Sequence, residues 1–190
     1  EILVAVDGAL GRVSRADLTG EMKAVQLPKG TLVTGISVRR GEVYLADSAG
    51  RRLLRLGAEG VEPIRLVEPE GKALRLIVPS PYLEVRLGEG GVLLSNNPGA
   101  HQIIGLSPGG SLSFAWGEAG SAAGSFCGCC GPISYDVLAG GQVVTAEKGC
   151  RRVQLFSPAG EWQAVIADRG IFEAAQRVCE LRGIDPTERW

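Results

Sequence analysis

The sequence predicts an all-β chain built from a repeated four-stranded unit, and three observations carry that prediction. First, 28 glycines and 10 prolines against a single methionine describe many short strands and turns, not long helices. Second, residues 93–110 (LLSNNPGAHQIIGLSPGG) and 143–160 (VVTAEKGCRRVQLFSPAG) align without a gap at an offset of 50 residues. The alignment matches Gly99 with Gly149, Ser107-Pro108 with Ser157-Pro158, and Gly110 with Gly160. Third, residues 133–137, 142–146, 152–156 and 161–166 are apolar-rich runs separated by Ala139-Gly140-Gly141, Lys148-Gly149 and Pro158-Ala159-Gly160. Such tight turns need glycine's access to positive φ and proline's fixed φ.

Four antiparallel strands recurring every 40 to 50 residues is the spacing of propeller blades, each of which has an incomplete core until it stacks on its neighbour. An earlier copy runs from Tyr44 to Leu56 and ends at Gly60. A more worn one runs from Val4-Ala5-Val6-Asp7 through Arg12-Val13 to Gly20, which makes four units. The competing architecture is an irregular sandwich with coincidental turn spacing, and the ungapped alignment argues against it. Trp116 and Trp162 fall near outer strands.

The units differ where they join. Residues 62–81 carry Pro63, Pro69, Pro79 and Pro81, which predicts a long surface excursion between the second and third blades. After Ala167 the apolar spacing becomes helical at Ile171, Phe172, Ala175, Val178, Cys179 and Arg182, until Gly183 and Pro186 stop it. The chain thus divides into blades over 1–167 and a helical tail over 168–190 that caps the fourth blade or binds a partner. The reading of closure favours a partial propeller completed by a second chain over a four-bladed ring, since open blade faces leave apolar patches and unpaired edges.

Composition narrows the function. At 190 residues the chain is one domain by size. Its 20 basic against 21 acidic residues give no electrostatic reason to expect nucleic acid. No apolar run approaches the ~18 residues of a membrane span. The sequence begins directly in strand-like residues, so an upstream segment such as an export signal is expected. No G-x-S-x-G, Walker loop or carboxylate pair appears, which leaves no reaction to name and leans away from an enzyme. Five cysteines cannot all pair within one chain.

Tyr44 to Leu56, with Ala-Asp-Ser followed by Arg-Arg-Leu, resembles the NHL repeat of β-propellers, Asp47 and Arg52 falling at its signature positions. Ile77-Val78-Pro79-Ser80-Pro81-Tyr82, Asn97-Pro98-Gly99, residues 114–118 (FAWGE), 126–132 (FCGCCGP) and 144–149 (VTAEKG) together resemble a group of bacterial NHL-repeat proteins with a CGCCNP signature. The close match covers about residues 77–167. The resemblance implies a mostly exported, functionally unassigned group of longer propellers. This chain departs from it at Gly131, where the group has Asn and where a looser turn is expected, and at Cys150, where the group has an apolar residue.

In a blade, the turn between the second and third strands and the connection entering the first strand open on the same face. That places residues 126–132 beside Cys150, with His101, Arg51 and Arg151 at equivalent turns, and this end is the expected binding face. Asp7, Asp47 and Glu147 recur at one repeat position and are expected to hold turns, and the pairs Arg51-Arg52 and Arg151-Arg152 to lie half buried against the next blade. Three readings of the cysteines stay open. Cys127, Cys129, Cys130, Cys150 and Cys179 offer enough thiolates for zinc or an iron–sulfur cluster. Alternatively they form structural disulfides, Cys150 with Cys179 and one bridge among the other three. The third reading is a redox-active dithiol, against which stands the loop's entry into a strand and not a helix. Cys150 and Cys179 are expected to be partners because both are additions to the resembled pattern. The leading function is a non-catalytic scaffold or binding module, periplasmic or otherwise exported, for a protein partner or for self-association, within a redox or electron-transfer assembly. Metal or iron–sulfur binding and thiol–disulfide oxidoreduction are the alternatives.

Overall fold

The computed structural model describes residues 2–6, 9–13 and 23–182. Asp7, Gly20, Gly183 and Pro186 lie outside the described residues. The chain forms successive antiparallel sheets, each wound up and down in chain order. The first has three described strands, β1 (Ile2–Val6), β2 (Ala9–Val13) and β3 (Lys23–Ala24). The second has β4 (Val33–Arg39), β5 (Glu42–Asp47), β6 (Arg52–Gly57) and β7 (Gly60–Pro63). The third has β8 (Val85–Leu87), β9 (Leu93–Asn97), β10 (Gln102–Leu106) and β11 (Leu112–Trp116). The fourth has β12 (Ser134–Val137), β13 (Val143–Glu147), β14 (Arg152–Phe156) and β15 (Trp162–Ala167). These four-stranded units are the blades the repeat predicts, and Trp116 and Trp162 do lie on the outermost strands.

The 50-residue repeat survives in the strand register. Asp47 pairs with Arg52, Asn97 with Gln102 and Glu147 with Arg152, so the same four-residue turn closes each central hairpin. The first sheet differs: Val6 pairs with Ala9, which leaves only two residues between its strands.

Period-two alternation sends neighbouring residues of one strand to opposite sheet faces. Leu93 and Ile104 of the third sheet join Tyr44, Ala46 and Leu53 of the second in one core. Leu94 and Ile103, one position along, join Phe126, Tyr135, Val143 and Phe156 in the next. Trp116 stacks at the edge of that second core, with ring centroids 4.7 Å from Phe156 and 6.1 Å from Phe126. Such aromatic contacts add specificity beyond the area they bury. The outward face of the fourth sheet carries Val144 and Val153 at the positions of Leu94 and Ile103, but both are only half buried.

The Pro-rich connection between the second and third sheets runs over the surface with its four prolines exposed, as expected, but it is more than an excursion. It buries Leu66, Leu76 and Val78 in the core between those sheets. It is also tied to the third: Val67 N donates to Gly110 O at 3.0 Å and Leu112 N to Val67 O at 2.8 Å. The prolines interrupt strand pairing, while the apolar residues between them supply core, so the segment becomes a strap.

The tail forms one helix, α1 (Arg169–Leu181), capped by Asp168, whose Oδ1 accepts from Ile171 N at 3.1 Å. An Arg169–Glu173 pair at 2.6 Å supports its first turns. No side chain of α1 is buried, and Ile171, Phe172, Val178 and Leu181 face solvent. It therefore does not dock on the fourth blade through its apolar face.

Candidate functional site

In the second, third and fourth blades, the last residue of the second strand anchors the segment that leads into that blade. Leu32 N donates to Asp47 Oδ1 at 2.9 Å, Ile77 N to Asn97 Oδ1 at 2.7 Å, and Cys127 N to Glu147 Oε2 at 2.8 Å. Asp47, expected to hold a turn, does so by accepting from Gly50 N at 3.0 Å, and it and Glu147 hold the incoming connections as well, with Asn97 the neutral member of the series.

Each acid also holds an arginine across the hairpin. Arg52 Nε lies 2.8 Å from Asp47 Oδ2. Arg152 embraces Glu147 with Nε at 2.9 Å and Nη2 at 3.0 Å, and Gln154 Nε2 donates to the same carboxylate at 2.6 Å. Arg152 then reaches Ser121 O and Ser125 O, at 3.1 and 2.8 Å. A buried carboxylate is tolerable only when its lone pairs are filled this way. The arginine pairs are therefore not shared between blades: Arg52 and Arg152 turn into their own blade, while Arg51 and Arg151 are exposed.

Arg51, His101 and Arg151 close the three turns with left-handed φ of 51°, 57° and 47°. They occupy equivalent places, as predicted, and one of them contacts the cysteine loop while another neighbours its disulfide partner. His101 Nε2 donates to Gly128 O at 2.9 Å, and Arg151 adjoins Cys150. Arg51 belongs to the second blade, two blades from the loop.

The structure brings residues 126–132 and Cys150 together through a Cys127–Cys150 disulfide with Cα atoms 5.7 Å apart. This corrects the expected Cys150–Cys179 pairing. Glu147 draws the Cys127 backbone onto the turn, and Gly149 lets it approach, because a Cβ there would sit 2.7 Å from Cys127 O and 3.0 Å from Gly128 Cα. Cys179 rides on α1, which carries it to no sheet core.

Cys129 and Cys130 remain as free thiols, the first exposed and the second buried, with Sγ atoms 3.7 Å apart. Cys130 Sγ also lies 3.9 Å from Ser80 Oγ. Burial pushes the Cys130 thiol pKa up, the adjacent Cys129 adds to this, and Ser80 and the Lys148 ammonium oppose it. Lys148 Nζ stands 5.8 Å from the Tyr82 ring centroid. Among the described residues, no group of three or more His, Cys, Asp or Glu side chains is arranged to hold a metal ion.

Four separated motifs converge here. Asn96 Nδ2 donates to Tyr82 O at 2.6 Å and to Pro132 O at 2.9 Å, and Gly131 N donates to Pro98 O at 3.0 Å. The loop is thus held on both sides of its thiol pair, and the backbone of Gly131 makes a tie where a looser turn was expected. Ser80, Tyr82 and Lys148 lie within the motifs of the resemblance and Asn96 within the 93–110 repeat, but only the stacking of two blades assigns them to one place.

No protein-family profile matches this chain, and no curated protein matches it by sequence. Its backbone does match solved structures. Virginiamycin B lyase from Staphylococcus aureus superposes with a TM-score of 0.59 at 17% identity, over 83% of this chain and 48% of that one. A chain of the nidogen/laminin complex gives 0.55 at 13% identity, over 88% and 61%. YCF48 bound to D1 peptide gives 0.52 at 12% identity, over 84% and 49%. The chain spans about half the length of the lyase and of YCF48. These are β-propeller-like proteins, and identities this low establish the fold alone. With its stacked four-stranded blades, the chain is a β-propeller, in part or in whole.

Proposed function

We propose that the chain is an NHL-like, CGCCNP-type propeller module of an exported protein, and that its cysteine-bearing end receives a protein partner. The observation that carries this is the convergence of the Ser80–Tyr82 strap, the Asn96–His101 turn, the cysteine loop and the Lys148–Arg151 turn around an exposed Cys129. Nidogen and YCF48 lend support as propeller-like proteins solved with a protein or peptide partner. The Cys127–Cys150 disulfide suits an oxidising compartment. A photo-crosslinker placed at Arg151 tests the reading against one placed at Glu59, at the opposite end of the second blade. Adducts formed in the native host from position 151 alone support it, and equal labelling from both positions overturns it.

Two further readings each have an observation behind them. The half-buried Val144 and Val153 occupy the positions that stack earlier blades, which favours self-association through a second copy offering a sheet of the same kind. The 3.7 Å thiol pair favours metal or iron–sulfur binding, a site that would recruit Cys127 or Cys150 only if their bridge were reduced. Metal analysis and a visible spectrum of anaerobically purified protein decide the latter, a colourless and metal-free protein removing it.

A further inference from the structure

We propose that Cys129 and Cys130 form a two-electron dithiol site whose substrate is a disulfide of the protein that docks on this face. It rests on the binding reading only for the identity of the substrate.

Three features of the loop equip it for this chemistry. The two sulfurs differ in access: Cys129 is exposed and open to attack a large substrate, while Cys130, 5% exposed, faces the Cys129 sulfur and the Ser80 hydroxyl. Their 3.7 Å separation must close to about 2.05 Å to form a bond, and because neighbouring Cα atoms lie only about 3.8 Å apart, closure has to twist the peptide between them as well as rotate both side chains. The surrounding backbone is already fixed. The Cys127–Cys150 bridge and His101 hold the loop before the pair, and Pro98 O and Asn96 hold it afterwards. Ordering of the loop therefore does not have to accompany the reaction. Burial raises the Cys130 thiol pKa, and Ser80 and Lys148 offset this only in part, so the resolving sulfur ionises above the ordinary thiol range.

The exchange balances in two steps. Cys129 gives up its proton and its sulfur attacks one sulfur of the substrate disulfide. The substrate S–S bond breaks, a Cys129–substrate bond forms, and the electron pair leaves on the other substrate sulfur, which takes up a proton. Cys130 then gives up its proton and attacks Cys129 Sγ. The mixed disulfide breaks, and the second substrate sulfur leaves and is protonated. Two thiols of the chain have become a Cys129–Cys130 disulfide, and the substrate disulfide has become two thiols.

The test uses oxidised glutathione as probe on the full chain in a Cys179→Ser background, read by peptide mapping without reduction. We expect a linked Cys129–Cys130 peptide, both glutathione halves released, and the Cys127–Cys150 bridge retained. Cys130→Ser should stop at a stable glutathione adduct on Cys129, and Cys129→Ser should give neither adduct nor link. A glutathione adduct that persists on Cys129 with Cys130 present overturns the proposal, as does opening of the Cys127–Cys150 bridge in place of the thiol pair. Either result leaves the docking reading standing, since crosslinking from position 151 needs no thiol.

Discussion

The Glu147 carboxylate accepts the Cys127 backbone N–H at 2.8 Å while gripping Arg152 from the same hairpin at 2.9 Å. One buried acid therefore joins the frame of the fourth blade to the loop that bears its thiols. The equivalent residue of the third blade, Asn97, does the positional half of this with a neutral amide.

Removing that charge should be costly. Glu147→Gln leaves the Arg152 guanidinium, 9% exposed, without its counter-ion, and destabilisation of roughly 3–5 kcal/mol is expected. Asp47→Asn should be milder, because Arg52 is 32% exposed and water can take over. Urea denaturation of the two variants checks the order, and an equal or reversed effect contradicts the assignment.

Gly149→Ala should hinder the bridge. The added methyl meets the backbone of Cys127 and Gly128, which cannot move aside like a flexible side chain. A lower yield of Cys127–Cys150 disulfide on oxidative refolding is expected. Ala49 fills this position in the second blade, so Ala49→Gly should change little beyond glycine's own propensity.

The bridge spans 23 positions of sequence, and its removal in Cys150→Ser should cost about 3 kcal/mol in the chain-entropy account. Cys179→Ser should leave the melting temperature within a degree or so, as expected of a surface substitution. The opposite ranking would restore a pairing with the helix.

Raised by burial, the Cys130 thiol ionises above the ordinary range, and only its thiolate attacks. Resolution of the mixed disulfide should therefore accelerate with pH and keep accelerating past about 8.5, where an ordinary thiol begins to level off. Stopped-flow decay of the Cys129–glutathione adduct across pH 7 to 10, as an order-of-magnitude window, measures it. A plateau near neutral pH would point to a different resolving group.

Val153→Lys places a charge where earlier blades stack, on a side chain only half buried in the monomer. If a second copy covers this face, sedimentation should show a self-associated wild type and a monomeric variant with unchanged strand content. A wild type that is monomeric at micromolar concentration removes that reading.

The blades were legible because their determinants are local and periodic. Alternation along 143–147 and 152–156, and the glycines and prolines between them, specify strands and turns within a few residues. The common end for residues 126–132, Cys150 and His101 was legible for the same reason, being a matter of strand direction. The disulfide partner was not. It depends on an acid reaching back 20 positions to a backbone N–H and on a glycine that permits approach, and neither leaves a spacing of its own. The exposure of the strap was legible from its four prolines, while the burial of Leu66, Leu76 and Val78 was not, since it depends on the shape of the gap between two sheets.

The three left-handed turn residues have one more implication. A side chain at positive φ costs about 1–2 kcal/mol that glycine would avoid, and the backbone already tolerates glycine at many other turns. Arg51→Gly and Arg151→Gly are thus changes the main chain would accept, and what they would erase is the lettering of the rim, whereas His101→Gly would also cut the 2.9 Å tie to Gly128 O. The hairpins work as a row of identical sockets whose occupants can be exchanged one at a time. A library varied only at 51, 101 and 151 would alter the chemistry of this end while each strand kept its register.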